Sequence, residues 1–299
     1  MGPIIAQPSH LGNSLATVEQ LATSASQLDG VPADLEDSIR FQTQKMMQTA
    51  GVLLRLPQAL IAQAIIILTR YWTGSEGYSL LEGDAKDAAT AALYLVAKVS
   101  ADSVAPRPLL TVFAFLETHR HHLPALDEAP NVDQEAYHLS EADYHNARNR
   151  MFKAEAQLLK ALGFDTHVAL PYTLCINYLQ ALGVRSQPNG DLVARRAFAH
   201  LNTALLSPQL LYLTHQPTSL ATAAIYLAAR ESEVKLPSDE WWEVFDTDRE
   251  ELGFLVVAFL SMREFALAEK ETWARRKVPI TVDELEGELE RRKLMEDGH

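Results

Sequence analysis

"ATAALYLVAK" occupies residues 89–98 and "ATAAIYLAAR" residues 221–230. Small residues dominate both copies: Ala89, Ala91 and Ala92 in the first, Ala221, Ala223 and Ala224 in the second. They let neighbouring helices approach closely on several sides, while Leu93, Leu95, Ile225 and Leu227 supply the bulk. A helix apolar nearly all round belongs in the middle of a bundle, so the phrase predicts one central helix used twice. The copies stand roughly 130 residues apart, beyond the roughly 20–50-residue units of solenoid repeats. Such spacing fits duplication of a whole all-α domain.

Working outward, helical spacing dominates from about residue 34 to residue 272, and strand-like alternation is scarce. Asp34 is a candidate cap for a helix through "LEDSIRFQTQKMMQTAGVLL", and Pro57 suits the first turn of "PQALIAQAIIILTRYW". "GDAKDAATAALYLVAKVS" is the third helix, with Asp84 as cap candidate. "PRPLLTVFAFLETHRHH" is the fourth, and "SEADYHNARNRMFKAEAQLLKALGF" the fifth, stopping at Gly163. After a polar, proline-marked connection at 123–139 the rhythm restarts. "PYTLCINYLQALG", "DLVARRAFAHLNTALLS", "PTSLATAAIYLAARES", a short "PSDEWWEVFD" and "DREELGFLVVAFLSMREFALAEK" follow. Each set of about five helices carries the Ala-rich phrase in third place.

The 299-residue chain is 47% apolar and 22% charged, an ordinary globular composition rather than a disordered one. Its net charge of −13 argues against broad binding to nucleic acid or anionic membrane, which needs a dense positive surface. One cysteine, Cys175, excludes an internal disulfide and a multi-cysteine zinc site; in "YTLCINYL" it reads as a buried bystander. The N-terminal stretch lacks the cationic start and apolar core of a signal peptide. The apolar run at 59–72 carries Gln63 and Arg70 and is too short to span a bilayer.

Two five-helix repeats joined by a short linker resemble the cyclin family. "IRFQTQKMMQTAGVLLRLPQALIAQAIIILTRYW" looks like the first two helices of a first cyclin box, and "AGVLLRLPQ" (50–58) is close to the L-type transcription and splicing cyclins. "SQLDGVP" (26–32) resembles the lead-in of that group. "KAEAQLLKALGFDTHVALPYTLCINYLQALG" (153–183) resembles the end of one box and the start of the next, and "WWEVFDTDREEL" (241–252) the end of the second. The resemblance covers roughly residues 26–270. It implies an N-terminal arm at 1–33, a first box at 34–167, a second at 168–272 and a charged C-terminal tail, helical or loose, at 273–299.

In cyclins a lysine ending the third helix pairs with a glutamate of the fifth at the kinase-facing surface. The resemblance places these on Lys98 and Glu155, with the accompanying apolar positions on Leu159 and Phe164. Residue chemistry alone leaves blander roles open: Lys98 as a solvated helix end, Glu155 as a surface charge, Leu159 and Phe164 as core. Arg230, the counterpart of Lys98, is expected to be a solvated helix end. The implied function is a non-catalytic regulatory subunit, without cofactor, that binds and activates a transcription- or splicing-type cyclin-dependent kinase. It would contact the kinase helix C and activation-loop region, in the nucleus.

Departures narrow the resemblance. The acidic pair that follows the third-helix lysine in many cyclins is replaced by "VSADSVAPR", with Asp102 further on. The Met-Arg-Ala-Ile-Leu docking motif of cell-cycle cyclins has no counterpart. No Lys or Arg precedes Arg40, so an Arg-x-x-Leu destruction box is absent from the arm. The Arg/Ser-rich tail of animal L-type cyclins is also missing, which suits a fungal-like form. The alternative is a IIB-like two-repeat transcription factor of the same fold. That function needs a basic DNA-facing surface and usually a zinc ribbon, which −13 and a single cysteine disfavour.

Other clusters carry less. "THRHH" (118–122) with His138 and His145 is read as solvated or capping histidines rather than metal ligands, because no cysteine lies near. "ARRAF" (194–198) and "WARRK" (273–277) read as solvated helix faces, and "RYW" and "WW" as packing aromatics. Neither a glycine-rich phosphate loop nor a nucleophile elbow appears.

Overall fold

The computed structural model describes residues 12–119, 138–237 and 240–297. Regular structure among them is entirely helical. None of these helices is long and apolar enough to cross a membrane. The chain forms two compact units, one of Thr17–Thr166 with Ala268–His299, the other of His167–Leu267 with the segment ending at Ala16. They are called here the first and second bundles.

The first bundle contains α1 (Val18–Ala22), α2 (Ala25–Leu28), α3 (Ala33–Leu53), α4 (Gln58–Trp72), α5 (Ala85–Lys98), α6 (Pro106–Thr118) and α7 (Glu141–Ala161). The Ala-rich helix α5 touches α3, α4, α6 and α7 and is the centre that its composition predicts. Close approach recurs between α3 and α4. A Cβ added at Gly51 would lie 2.5 Å from Ile61 Cδ1, so any other residue at that crossing must displace the Ile61 side chain.

The capping expectations hold only in part. Pro32 rather than Asp34 caps α3; Asp34 lies in the first turn and accepts from Arg292 Nη1 at 2.8 Å. Pro57 is the cap of α4 rather than its first residue. Asp84 caps α5 by position, but its carboxylate accepts from Val282 N at 2.9 Å instead of from its own helix. The two aspartates found partners remote in sequence.

The segment before α3 is fastened by a buried polar network. Ser24 Oγ and Gln27 Nε2 each donate to Glu36 Oε2 at 2.9 Å, and Glu36 pairs with Arg40 at 2.7 Å. Arg40 Nη2 donates to the Trp72 carbonyl at 3.0 Å. A charge this deeply buried is tolerable only when so partnered.

Residues from Ala268 onward also belong to the first bundle. Ser38 Oγ donates to Glu269 and accepts from Trp273 Nε1, and the Ile280 carbonyl accepts from Lys86 N. Helix α13 (Val282–Asp297) buries Leu285 and Glu288. Glu288 gathers Arg276 at 2.9 Å, Arg292 at 3.3 Å and Arg291. Arg276 of "WARRK" also lies over the Trp273 ring, so this cluster is part of a packed network.

The second bundle contains α8 (Pro171–Ala181), α9 (Gly190–Ala204), the single-turn α10 (Leu211–Thr214), α11 (Pro217–Glu231) and α12 (Arg249–Thr272) through Leu267. Helix α11, the second Ala-rich copy, packs on α8 and α9. The expected short fourth helix is a 3-10 turn, Glu243–Phe245, ended by Asp246 in the left-handed region at φ 54°. Trp241 meets Trp242 and Phe245 edge-on there, so one turn suffices to cover the apolar groups. Cys175 is buried in α8, and burial pushes its thiol up to about 12, which leaves it an inert thiol.

Candidate functional site

The two Ala-rich copies have the same burial pattern, position by position. Each has nine residues buried apart from a half-buried tyrosine, Tyr94 or Tyr226, and then an exposed cation. In both, the cation stands over that tyrosine four residues back: Lys98 Nζ lies 5.7 Å from the Tyr94 ring centre and the Arg230 guanidinium 5.8 Å from that of Tyr226. The i, i+4 spacing of a helix produces this geometry.

The copies then diverge. Lys98 Nζ reaches Glu155 of α7 at 2.5 Å. Glu155 is 8% exposed, so its carboxylate depends on the lysine for its charge partner. Arg230 makes no ion pair among the described residues; the neighbouring Glu231 pairs with His200 at 3.0 Å instead. The Lys98–Glu155 pair is thus peculiar to the first bundle.

Apolar residues follow Glu155 along α7 and past its end. Leu159, one turn beyond Glu155 on α7, is half-buried, and Phe164 is 70% exposed. Phe164 is therefore not a core residue. It follows Gly163, and both adopt left-handed backbone, φ 56° and 64°, while Phe164 N donates to the Leu159 carbonyl at 2.9 Å. A left-handed conformation costs a non-glycine residue about 1–2 kcal/mol. The chain bears that strain while presenting an aromatic ring to solvent, a combination typical of recognition positions.

Three neighbours escaped the motif comparison. Tyr94 contacts Phe152 of α7 with ring centres 5.8 Å apart; Phe152 is 39% and Val99 78% exposed. Helical spacing could have identified them, since Tyr94 precedes Lys98 by four and Phe152 precedes Glu155 by three. The result is one partly desolvated ion pair with exposed apolar residues close by along the chain: Val99 directly after Lys98, Phe152 one turn before Glu155 and Phe164 just past the end of α7. Such a surface suits protein recognition, where a dry centre strengthens a charge pair.

Elsewhere the chemistry is structural. Around Asp87 a cleft is lined by Tyr71, Tyr78 and Lys153; Arg150 enters it to pair with Asp87 at 2.8 Å, and burial raises the Asp87 carboxyl despite that pairing. Among the described residues no group of three His, Cys, Asp or Glu is placed to hold a metal ion. His119 closes α6 through the Phe115 carbonyl at 2.8 Å, and His145 meets Glu141 at 3.2 Å. His138 is exposed; His121 and His122 lie outside the described residues. Arg196 of "ARRAF" donates to Ser232.

No family model matches the chain. The class it joins is set by its architecture: an all-α fold of repeated helix bundles, as in tandem cyclin boxes. A chain of the crystal structure of the yeast RNA Pol II CTD kinase CTDK-1 complex superposes with a TM-score of 0.64 at 16% identity, covering 95% of this chain and 84% of that one. A chain of the CAK complex from Chaetomium thermophilum bound to ATP-gamma-S gives 0.51 at 15% identity, covering 79% and 65%. At these identities the likeness is one of fold. Sequence narrows it further: the chain is homologous, at moderate identity, to cyclins of the L type. It is 31% identical to human Cyclin-L2 over 284 residues, covering 95% of this chain and 49% of the relative. Human Cyclin-L1 is 30% identical over 299 residues, covering 96% and 52%, and zebrafish (Danio rerio) Cyclin-L1 28% over 285, covering 95% and 51%. The chain spans about half the length of the curated relatives it matches.

Proposed function

We propose that the chain is a cyclin, a non-catalytic regulatory subunit that binds and activates a cyclin-dependent kinase acting in transcription or pre-mRNA splicing, within the nucleus. The observation that carries this reading is the Lys98–Glu155 ion pair at 2.5 Å, set among Leu159 and Phe164. The homology to L-type cyclins supports the choice of kinase class, as does the fold shared with a chain of a polymerase-tail kinase complex.

The mechanism is selection of one kinase conformation. A kinase is active only when its helix-C glutamate pairs with the strand-three lysine and its activation loop is placed. A rigid helical surface that binds helix C only in that position shifts the population toward it by its differential affinity. The Glu155 carboxylate holds the Lys98 ammonium in place before the partner arrives, so little side-chain entropy is lost on binding.

The test is affinity capture from native cells with identification of the co-purifying kinase. Lys98→Glu and Glu155→Ala should each reduce capture at least tenfold, the range of an interface hot spot. Helical content should stay close to wild type, while Lys98→Glu, which sets a second carboxylate against buried Glu155, should lower the melting temperature, so capture is compared well below the melting point of each variant. Capture of the same kinase by both variants at wild-type levels overturns the assignment of this surface.

A further inference from the structure

Two cross-helix pairs tie α5 to α7, one helical turn apart. Tyr94 meets Phe152 with ring centres 5.8 Å apart, and one turn on Lys98 Nζ reaches Glu155 at 2.5 Å. The lysine also stands over the Tyr94 ring, 5.7 Å from its centre, so its ammonium has two neighbours, a carboxylate and an aromatic face. The carboxylate by itself fixes only the tip of a long, flexible side chain that is 36% exposed, where water competes for it. The second Ala-rich copy supplies the comparison. Tyr226 lies under Arg230 in the same way, yet among the described residues it meets no second ring and Arg230 meets no carboxylate. Both tyrosines are half-buried on the central helix of their bundle, so filling space does not account for the difference. The aromatic contact and the ion pair are present together in one copy and absent together from the other.

We infer that Tyr94, steadied by Phe152, is a positioning residue that holds the Lys98 ammonium against Glu155 in the free protein. The negative face of the tyrosine ring attracts the ammonium and gives the side chain a second point of attachment. Phe152, tilted 49° to the Tyr94 ring, packs against it and limits the directions that ring can take. Phe152 therefore acts on Lys98 through Tyr94. With ring and carboxylate both engaged, the lysine keeps its geometry before a partner arrives and loses less freedom on binding. The consequence for binding rests on the reading of the Lys98 surface as a kinase-binding one; the positioning itself is a property of the isolated chain.

The test reads the isotope-labelled Lys98 ammonium of the full chain by NMR, assigned by its loss in Lys98→Arg, beside kinase capture. Hydrogen exchange of that ammonium should quicken about two- to fivefold in Tyr94→Leu, the range of a cation–π contact, and capture should fall by a similar factor. Tyr94→Phe keeps the ring and should match wild type in both readouts. Phe152→Leu should quicken exchange as well, and Tyr94→Leu with Phe152→Leu should quicken it no further than Tyr94→Leu alone. Tyr226→Leu removes the same contact where no carboxylate waits and should change neither readout. Unchanged exchange in Tyr94→Leu overturns the inference. So does an equal change in Tyr94→Phe or Tyr226→Leu, which would mark a general loss of packing, and so do additive effects of Tyr94→Leu and Phe152→Leu on exchange. Exchange that follows the expected pattern while capture stays at wild type upholds the positioning role and overturns the kinase-binding reading of the surface instead.

Discussion

Single residues in this protein are set by burial as much as by their neighbours along the chain. Asp37 of α3 shows the consequence most directly. Burial raises its carboxyl to about 6, opposed by Arg40 and reinforced by Glu36, Glu269 and Asp34. The folded state therefore holds a proton on Asp37 more readily than the unfolded chain does, so this residue's contribution to stability falls as pH rises from about 4 to about 6. Asp37→Asn should stabilise the protein at pH 8 by about 1 kcal/mol after allowance for solvent screening, seen as a higher melting temperature. The gain should shrink as pH falls toward 4, measured by thermal melts across the range. None of this was legible in "LEDSIR", where Asp37 reads as one of two acidic residues; its burial and the approach of Glu269 from α12 come only with tertiary packing.

At the scale of the element, glycine and alanine decide how closely helices approach. Gly51 was visible in "AGVLLRLPQ" only as part of a family motif. The structure supplies its reason, the Ile61 side chain against its Cα. Gly51→Ala should destabilise the protein by about 1–3 kcal/mol, because the added methyl must displace α4 or force Ile61 off its rotamer. Gly51→Ala combined with Ile61→Val should recover part of that loss in denaturant unfolding. Ten-residue composition likewise told that α5 and α11 are central, since a helix apolar all round has nowhere else to go. The fourth element of the second bundle was harder. "PSDEWWEVFD" has the aromatic content of a packed segment but too few residues for a stable amphipathic helix, and tertiary contacts of Trp241 reduced it to one turn.

For the whole molecule, charge and duplication set the limits. The two bundles each centre on a copy of the Ala-rich phrase, yet among the described residues only the first pairs its closing cation with a carboxylate. The net charge of −13 sets an expectation against duplex DNA. A gel shift with salt titration should give no tight, salt-sensitive complex; a steep salt dependence at nanomolar protein would instead favour the two-repeat transcription-factor alternative.

The sequence by itself determined the helical class, the tandem organisation and the likeness to L-type cyclins, because periodicity, composition and motif spacing are local properties that survive without contacts. It also named Lys98, Glu155, Leu159 and Phe164. Only the tertiary structure decided that Lys98 meets Glu155 while Arg230 meets no carboxylate among the described residues, that Phe164 stands in solvent on a left-handed backbone, and that Val257 and Leu260 of α12 are exposed. Which side chains meet depends on how helices distant along the chain cross, and crossing is fixed by packing volume rather than by any ten-residue phrase.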